Sequence, residues 1–250
     1  MRIAVVFGTY NRFYYLRAAV DSVRNAISNN HVYKMIVVDG GSSDGSRPWL
    51  EMQDDVDLIR QEGELTGAVR AFNLGFGQAV DGGYDFVFHL NDDAFIATPG
   101  GIDAAIEMMQ YNERIGEVAF AYNLNSREFR FEYINGKPYA NYGLIRTAAG
   151  MQVAQAQGDP TGRAWWNPIY KTYGADCEFA CWLHRLGWII ATPDGLHVHD
   201  ANAQDELRQR NGATDPDRVD SKIFWNRWHD PVSLKPGGPE PGSSERPQGG

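Results

Sequence analysis

The segment MIVVDGGSSDGS, residues 35–46, joins a run of apolar residues directly to a loop of glycine, serine and aspartate. An apolar run without polar interruption is expected of a strand that is buried on both faces of a parallel sheet. A similar run occupies residues 3–7, and residues 56–59 and 86–90 are apolar except for Asp57 and His89. We therefore predict four such strands in the first half of the chain.

Helical patterns separate these strands. Leu16, Val20, Val23 and Ile27 recur at the spacing of one helix face, and residues 65–80 are predicted to form a further helix. The alternation of strand and helix predicts an α/β fold with a mostly parallel central sheet flanked by helices. In such sheets, ligands bind beyond the carboxyl ends of the strands.

The second half of the chain is less regular. Strands are predicted over residues 129–134, 139–145 and 188–191, and helices over residues 176–186 and 217–228.

The C-terminal end has a different composition from the rest of the chain. Residues 231–250 are rich in proline and glycine and cannot form a core of their own, so they are predicted to be a flexible tail. The folded unit then covers residues 1–230.

Composition argues against several classes of protein. The 250 residues carry 23 Lys and Arg against 32 Asp and Glu, a net charge of −9, which argues against bulk binding of nucleic acid or of an anionic membrane. No apolar stretch approaches the ~20 residues that span a bilayer, and residues 1–3 run directly into a strand, so we expect neither a membrane span nor a signal peptide. With only two cysteines, Cys177 and Cys181, a cytoplasmic location is expected.

The loop at residues 39–46 is a candidate ligand site. Its glycines let a ligand approach the backbone and its carboxylates can accept hydrogen bonds from a ribose or a base, although a plain polar turn has the same composition. The loop lacks the Gly-Lys-Ser/Thr ending of a phosphate-binding P-loop. Residues 7–12, FGTYNR, are not the Gly-x-Gly-x-x-Gly of a nicotinamide-binding fold.

Three further segments contain candidate metal ligands or functional carboxylates. Residues 91–93, Asn-Asp-Asp, follow the fourth strand, and the adjacent carboxylates repel each other unless they are solvated or bridged by a cation such as Mg²⁺ or Mn²⁺. His197 and His199 lie two apart on a predicted strand and point the same way, as metal ligands or as structural residues. Asp176 begins a predicted helix, where it is either a cap or a functional carboxylate.

Taken in order along the chain, these motifs resemble one family, the inverting glycosyltransferases of the family 2 type with the GT-A fold. The resemblance covers about residues 3–230. The segments that carry it are VVFGTYNR (5–12), VVDGGSSDGS (37–46), GAVRAFNLGF (67–76), FHLNDDAF (88–95), YGADCEFACWLHRLGW (173–188), HVHD (197–200) and DSKIFWNRW (220–228).

The resemblance implies which residues bind a nucleotide-sugar donor. Residues 1–122 would form the nucleotide-sugar-binding half, and residues 123–230 the acceptor-binding and catalytic half. The residues that match donor-binding positions are Gly8, Thr9, Tyr10, Asn11, Asp39, Asp44, Gly67, Asn73, Asn91 and Asp92, with Arg70 as a nearby charge. Because Asp39 with Tyr10 suits a pyrimidine, a UDP-sugar is the expected donor.

The resemblance also implies catalytic roles. Asp93 would hold Mn²⁺ or Mg²⁺, with His199 completing the metal site. Asp176 would be the general base that takes the proton from an acceptor hydroxyl, on a glycan or another hydroxyl-bearing molecule. The candidate acceptor-binding residues are Trp165, Trp166 and Glu178.

The chain departs from the family pattern at four positions. Ala175 stands where an acidic residue usually precedes the base, Asn91 begins the Asp-x-Asp-type motif, and Phe72 replaces the arginine of the Gly-x-x-x-Ala-Arg-Asn segment. Phe224 replaces the glutamine of the Gln-x-x-Arg-Trp signature, so a chain-extruding polysaccharide synthase is not expected.

Two alternatives to a glycosyltransferase stay open. A sugar-phosphate nucleotidylyltransferase shares a related fold, although its glycine-rich basic first loop is absent from residues 7–12. A non-catalytic module that binds a nucleotide-sugar or a glycan is the other.

Overall fold

The protein is described from a computed structural model, which covers residues 1–61, 66–124, 127–209 and 218–243. The strands are β1 (Arg2–Thr9), β2 (Val32–Asp39), β3 (Val56–Arg60), β4 (Phe86–His89), β5 (Ala94–Ile96), β6 (Ile115–Ala119), β7 (Ala121–Leu124), β8 (Glu132–Ile134), β9 (Lys137–Tyr139), β10 (Gly143–Arg146), β11 (Ile189–Ala191) and β12 (His197–Asp200). The helices are α1 (Phe13–Ala26), α2 (Ser46–Leu50), α3 (Ala68–Asp81), α4 (Gly101–Tyr111), α5 (Thr147–Ala156), α6 (Ala175–Arg185) and α7 (Val219–Trp228), followed by a 3-10 helix at Pro231–Leu234. Within these ranges, no helix has the length and apolar character needed to cross a membrane.

The central sheet has seven strands in the order β11-β6-β10-β4-β1-β2-β3. β1 pairs in parallel with β2 and β4, and β2 pairs in parallel with β3. β10 is the exception, because it runs antiparallel to both β4 and β6. The predicted α/β fold with a mostly parallel sheet is confirmed.

The central strands β1, β2 and β4 are buried on both faces over residues 3–7, 35–39 and 86–89, which explains their apolar runs. Val5 and Phe7 of β1 pack into the core that includes α1, whereas Ala4 and Val6 pack into the core that includes α3. Because both faces are covered, the carboxyl ends of the strands are left as the polar edge of the sheet.

The four strands predicted in the first half are found as β1–β4, but the second half differs from prediction. The strand predicted over residues 139–145 is two strands, since β9 pairs with β8 in a small hairpin and β10 belongs to the central sheet. The buried residues Ala140 and Tyr142 carry the chain between them. The predicted starts of two helices, residues 65 and 217, lie outside the described residues.

The segment after α7 packs against the domain. The 3-10 helix buries Leu234, and the guanidinium of Arg185 donates hydrogen bonds to the carbonyl oxygens of Ser233 and Pro239. Residues 231–243, which were predicted to belong to a flexible tail, thus make packing and hydrogen-bond contacts with the domain in the structure. Residues 244–250 lie outside the described part of the chain.

Candidate active site

A cleft of about 950 Å³ opens at the carboxyl ends of β1, β2 and β4 and reaches the N-terminal ends of α3 and α6. The predicted site residues that line it are Gly8, Thr9, Tyr10, Gly67, Asn91, Asp92, Asp93, Trp166 and Asp176. Those outside its lining are Asn11, Asp39, Asp44, Arg70, Asn73, Trp165, Glu178 and His199.

Two arginines from distant segments neutralise the adjacent carboxylates of Asp92 and Asp93. Arg12 Nη1 lies 2.8 Å from Asp92 Oδ1 and 3.3 Å from Asp93 Oδ2, and Arg208 Nη2 lies 3.0 Å from Asp93 Oδ2. The two arginines thus supply positive charge at a place where the sequence led us to expect solvent or a divalent cation. Burial raises the pKa of Asp92 to about 6, despite the Arg12 guanidinium, which acts in the opposite direction.

The same carboxylates also offer ligand atoms for a divalent cation. Asp92 Oδ2 and Asp93 Oδ1 are buried and have no hydrogen-bond partner among the described residues. The described residues contain no cluster of three or more His, Cys, Asp or Glu side chains that could hold a metal by themselves. Mg²⁺ is commonly held by one or two carboxylates together with substrate phosphates, and this donor set fits that pattern.

His199 lies outside the cleft because alternate residues of a strand point to opposite faces. Its Nδ1 is 2.6 Å from Asn123 Oδ1. The next residue, Asp200, lines the cleft instead and accepts a hydrogen bond of 2.6 Å from the Tyr142 hydroxyl. Burial and the charge of Asp93 both raise the pKa of Asp200. The structure thus leaves His199 outside the lining of the cleft that contains Asp93, and Asp200 lines the cleft instead.

The acidic residues of the loop after β2 are used to shape the loop. Arg47 Nε and Nη2 both lie 2.7 Å from Oδ2 of the buried Asp39. Asp44 Oδ2 accepts a hydrogen bond from the backbone of Phe13, which ties the loop to the start of α1. Asn11 is exposed and accepts a hydrogen bond from the backbone of the same loop. None of these three residues lines the cleft, so their positions give no support to the predicted direct contacts with a nucleotide-sugar.

The segment before α3 approaches another loop at the rim of the cleft. Gly67 has φ +94°, and a Cβ at this position would lie 2.5 Å from the carbonyl oxygen of Lys171. Glycine is therefore required for the contact between these segments. Arg70 is exposed on α3 and does not line the cleft, so its predicted role beside the donor is not supported.

Asn73 supports the cleft indirectly by holding the backbone of Trp166. Its Nδ2 donates to Trp166 O at 2.7 Å, and its Oδ1 accepts from Trp166 N at 3.0 Å. The indole packs at 4.4 Å on Phe72, the residue in place of the family's arginine, and its Nε1 is buried without a described partner. Trp165 is fully buried, and its Nε1 donates to Gly162 O, so its position gives no support to the predicted contact with an acceptor.

Glu178 also lies outside the lining of the cleft. Its fully buried carboxylate accepts hydrogen bonds from the Arg227 guanidinium, the Tyr170 hydroxyl and the Trp228 indole. The structure therefore uses the Glu178 carboxylate for contacts within the protein and gives no support to the predicted contact with an acceptor. Arg227 and Trp228, the remainder of the Gln-x-x-Arg-Trp signature, tie α7 to α6 through this carboxylate.

Asp176 lies in the first turn of α6, after Gly174 begins the helix in the left-handed conformation. No side chain caps this helix, so Asp176 is not its N-cap residue. Burial raises the pKa of Asp176, while hydrogen bonds from its own backbone N–H and from that of Cys177 act in the opposite direction. Within the described ranges it forms no ion pair. A carboxylate of this kind can accept a proton.

A second carboxyl lies near Asp176. Glu117 on β6 is buried, its Oε1 has no hydrogen-bond partner in the described part of the chain, and a Cβ at Gly143 would lie 2.9 Å from that oxygen. Burial and the charge of Asp176 both raise the pKa of Glu117 well above its ordinary value.

Sequence reasoning missed four charged residues that line the cleft: Arg12, Lys171, Asp200 and Arg208. The only signal for Arg12 was its place at the end of VVFGTYNR. Arg208 belongs to no motif, and only the folding of residues 201–209 onto Asp93 reveals it.

The fold and the cleft define a nucleotide-diphospho-sugar transferase architecture of the GT-A type. The profile of Glycosyl transferase family 2 matches residues 4–162, and the chain belongs to this family. No curated protein sequence matches the chain.

Solved structures share the fold at low sequence identity. S. aureus TarS (residues 1–349) in complex with UDP has a TM-score of 0.63 and 16% identity, over 80% of this chain and 60% of TarS. The same protein in complex with UDP-GlcNAc has a TM-score of 0.62 and 16% identity, over 82% of this chain and 60% of TarS. Mannosyltransferase PcManGT from Pyrobaculum calidifontis, in complex with GDP-Man and Mn²⁺, has a TM-score of 0.59 and 17% identity, over 88% of this chain and 64% of PcManGT. The chain thus spans about 60% of the length of these structures.

Proposed function

We propose that this protein transfers a sugar from a nucleoside-diphosphate-sugar to an acceptor hydroxyl, with a divalent cation and with inversion at the anomeric carbon. The observation that carries the proposal is that Asp93 and Asp176 line one cleft. Asp93 has an unpartnered oxygen beside two arginines, and Asp176 has a raised pKa and no cationic partner among the described side chains.

The donor proposal draws on the family and on the neighbours. The solved structures of similar fold contain UDP, UDP-GlcNAc or GDP-Man. In this chain, Gly8, Thr9 and Tyr10 line the cleft at the end of β1, where a base would bind. We favour a UDP-sugar as donor and a glycan or another hydroxyl-bearing molecule as acceptor.

Asp92 and Asp93 would hold Mn²⁺ or Mg²⁺ through their unpartnered oxygens. PcManGT, one of the proteins of similar fold, is in complex with Mn²⁺. When bound, such a cation supplies positive charge for the negative charge that develops on the departing nucleoside diphosphate.

Asp176 would act as the general base. Its carboxylate takes the proton from the acceptor hydroxyl as that oxygen forms a bond to the anomeric carbon and the bond to the diphosphate oxygen breaks. A single displacement of this kind inverts the anomeric configuration. Positioned proton transfer contributes about 10²–10⁴ in rate.

The test measures turnover of a panel of nucleotide-sugars with Mn²⁺ and mixed acceptors. Asp176→Asn is expected to lower transfer by about 10²–10⁴ and to leave UDP binding close to wild type. The control is Asp21→Asn, an exposed position outside the cleft, which should leave both unchanged. Undiminished transfer by Asp176→Asn would remove it as the base. Nucleotide-sugar binding without turnover in the wild type would favour a non-catalytic binding module.

A further inference from the structure

We propose that Arg208 competes with the divalent cation for Asp93 and, once released, binds the diphosphate of the donor; this inference rests on the proposed function. Arg208 would then be both the internal counter-charge of the metal-free protein and a donor-binding residue.

Residues 201–209 fold over the two carboxylates. Asp205 forms a two-point pair with Arg12, at 2.6 Å to Nε and 3.0 Å to Nη2, and the backbone of Ala203 donates to Asp93 Oδ2 at 3.1 Å. Arg208 is anchored on the same segment, where its Nε donates to Ala203 O at 3.1 Å and its Nη2 to Asp93 Oδ2 at 3.0 Å. The segment therefore places a guanidinium directly on the candidate metal-binding carboxylate.

The two arginines of this cluster differ in how firmly they are held. Arg12 is buried, and its Nε, Nη1 and Nη2 all donate to carboxylates of Asp92 or Asp205. The Arg208 side chain is 30% exposed and lines the cleft, and its Nη1 has no hydrogen bond to any described residue. Arg208 is therefore the arginine that can leave its carboxylate at small cost.

A cation and Arg208 interfere with each other at Asp93. The unpartnered Oδ1 and the Oδ2 that Arg208 contacts belong to one carboxylate, so a divalent cation at Oδ1 would lie close to the guanidinium. A divalent cation and a guanidinium that contact the same carboxylate repel each other strongly in a partly buried site, because both are positively charged. A released guanidinium stays in the cleft, where the donor's diphosphate is the matching anion, because arginine binds phosphate through two parallel hydrogen bonds.

The experiment uses Arg208→Gln in the full chain and measures two affinities, Mn²⁺ alone and UDP at saturating Mn²⁺. We expect the Mn²⁺ dissociation constant to fall by about tenfold, because the internal competitor is gone. We expect the UDP dissociation constant to rise by about 10- to 100-fold, because the charge-assisted hydrogen bonds from the guanidinium to the diphosphate are lost. Arg163→Gln, at an exposed position outside the cleft, should change neither value. Arg208→Lys, which keeps the charge, should show smaller changes of the same sign.

The opposite directions of the two changes make the test specific. Unchanged or weaker Mn²⁺ binding by Arg208→Gln would overturn the competition, and unchanged UDP binding would overturn the diphosphate role. If Arg208→Gln does not fold, as judged by its thermal unfolding, the same comparison is made with Arg208→Lys. A wild-type protein that binds no nucleotide would overturn the proposed function itself.

Discussion

Glu178 and Arg227 form a two-point ion pair, with Arg227 Nε 3.0 Å from one carboxylate oxygen and Nη2 3.0 Å from the other. The pair joins α7 to α6, the helix whose first turn carries Asp176. Glu178 is fully buried, so the carboxylate depends on this guanidinium for its charge balance. Although burial alone would raise it, the pKa of Glu178 is lowered by its hydrogen bonds from Arg227 and Tyr170.

Arg227→Met is expected to lower the free energy of unfolding by about 3 kcal/mol, because it leaves a buried carboxylate without its partner. The matched control is Arg163→Met, which breaks an ion pair with Asp81 whose side chains are 50% and 55% exposed. That loss should stay below about 1 kcal/mol. Denaturant unfolding of both variants measures the difference, and equal losses would show that the buried pair is no stronger than the exposed one.

Trp165 and Trp166 are expected to respond differently to the same substitution. Trp165→Phe should lower stability by about 1–3 kcal/mol and leave kinetic constants unchanged, because it loses a buried hydrogen bond of a side chain that does not line the cleft. Trp166→Phe removes an indole N–H that no described residue uses, so its cost in stability should be smaller. We expect it to raise KM for the acceptor by about tenfold. A Trp166→Phe enzyme with wild-type KM would exclude the indole N–H from acceptor binding.

Stability is expected to fall as the pH drops from about 6.5 to about 4, in part through His89. Burial lowers the pKa of His89 to about 4, although its bond to Asn141 O acts in the opposite direction. Between these pH values, His89 is protonated in the unfolded chain but stays neutral in the folded protein. The free energy of unfolding therefore decreases by up to ~3 kcal/mol as the pH is lowered. His89→Phe should flatten this part of the pH profile, as measured by denaturant unfolding at several pH values. His184, whose pKa burial also lowers, remains in both proteins, so the difference isolates His89.

Gly67→Ala is expected to cost more stability than Gly41→Ala. Both glycines line the cleft and have similar φ values, +94° and +98°. A Cβ at position 41 meets nothing within 4 Å, whereas one at position 67 meets the backbone of Lys171. Backbone strain costs about 1–3 kcal/mol, and the clash at position 67 adds to it. Thermal unfolding compares the two, and an equal loss would mean that the Lys171 loop moves away freely.

Asp93→Asn is expected to abolish the metal-dependent part of nucleotide binding. In the wild type, UDP with Mn²⁺ at ~100 times its dissociation constant should add about 2.7 kcal/mol, which raises the unfolding midpoint by about 5–10 °C. The variant should lose this shift, and Asp21→Asn should retain it. A full metal-dependent shift in Asp93→Asn would remove Asp93 as a ligand of the cation.

The sequence by itself determined the α/β class and the approximate positions of Asp93 and Asp176, because these depend on local patterns. Apolar runs follow from strands buried on both faces, and the polar residues after them must lie at the carboxyl edge of the sheet. The motifs that resemble family 2 add the expected roles of these carboxylates.

Only the tertiary structure decided which side chains are free to act. Arg208 pairs with Asp93, 115 residues away in the sequence, and Arg227 pairs with Glu178, 49 residues away. No local sequence pattern predicts either pairing. The choice between His199 and Asp200 depends on which face of β12 meets the cleft, which is set by its pairing with β5 and β7. The physical reason is that spacing along the chain predicts side-chain direction within an element, while charge balance and exposure are set by elements that meet only on folding.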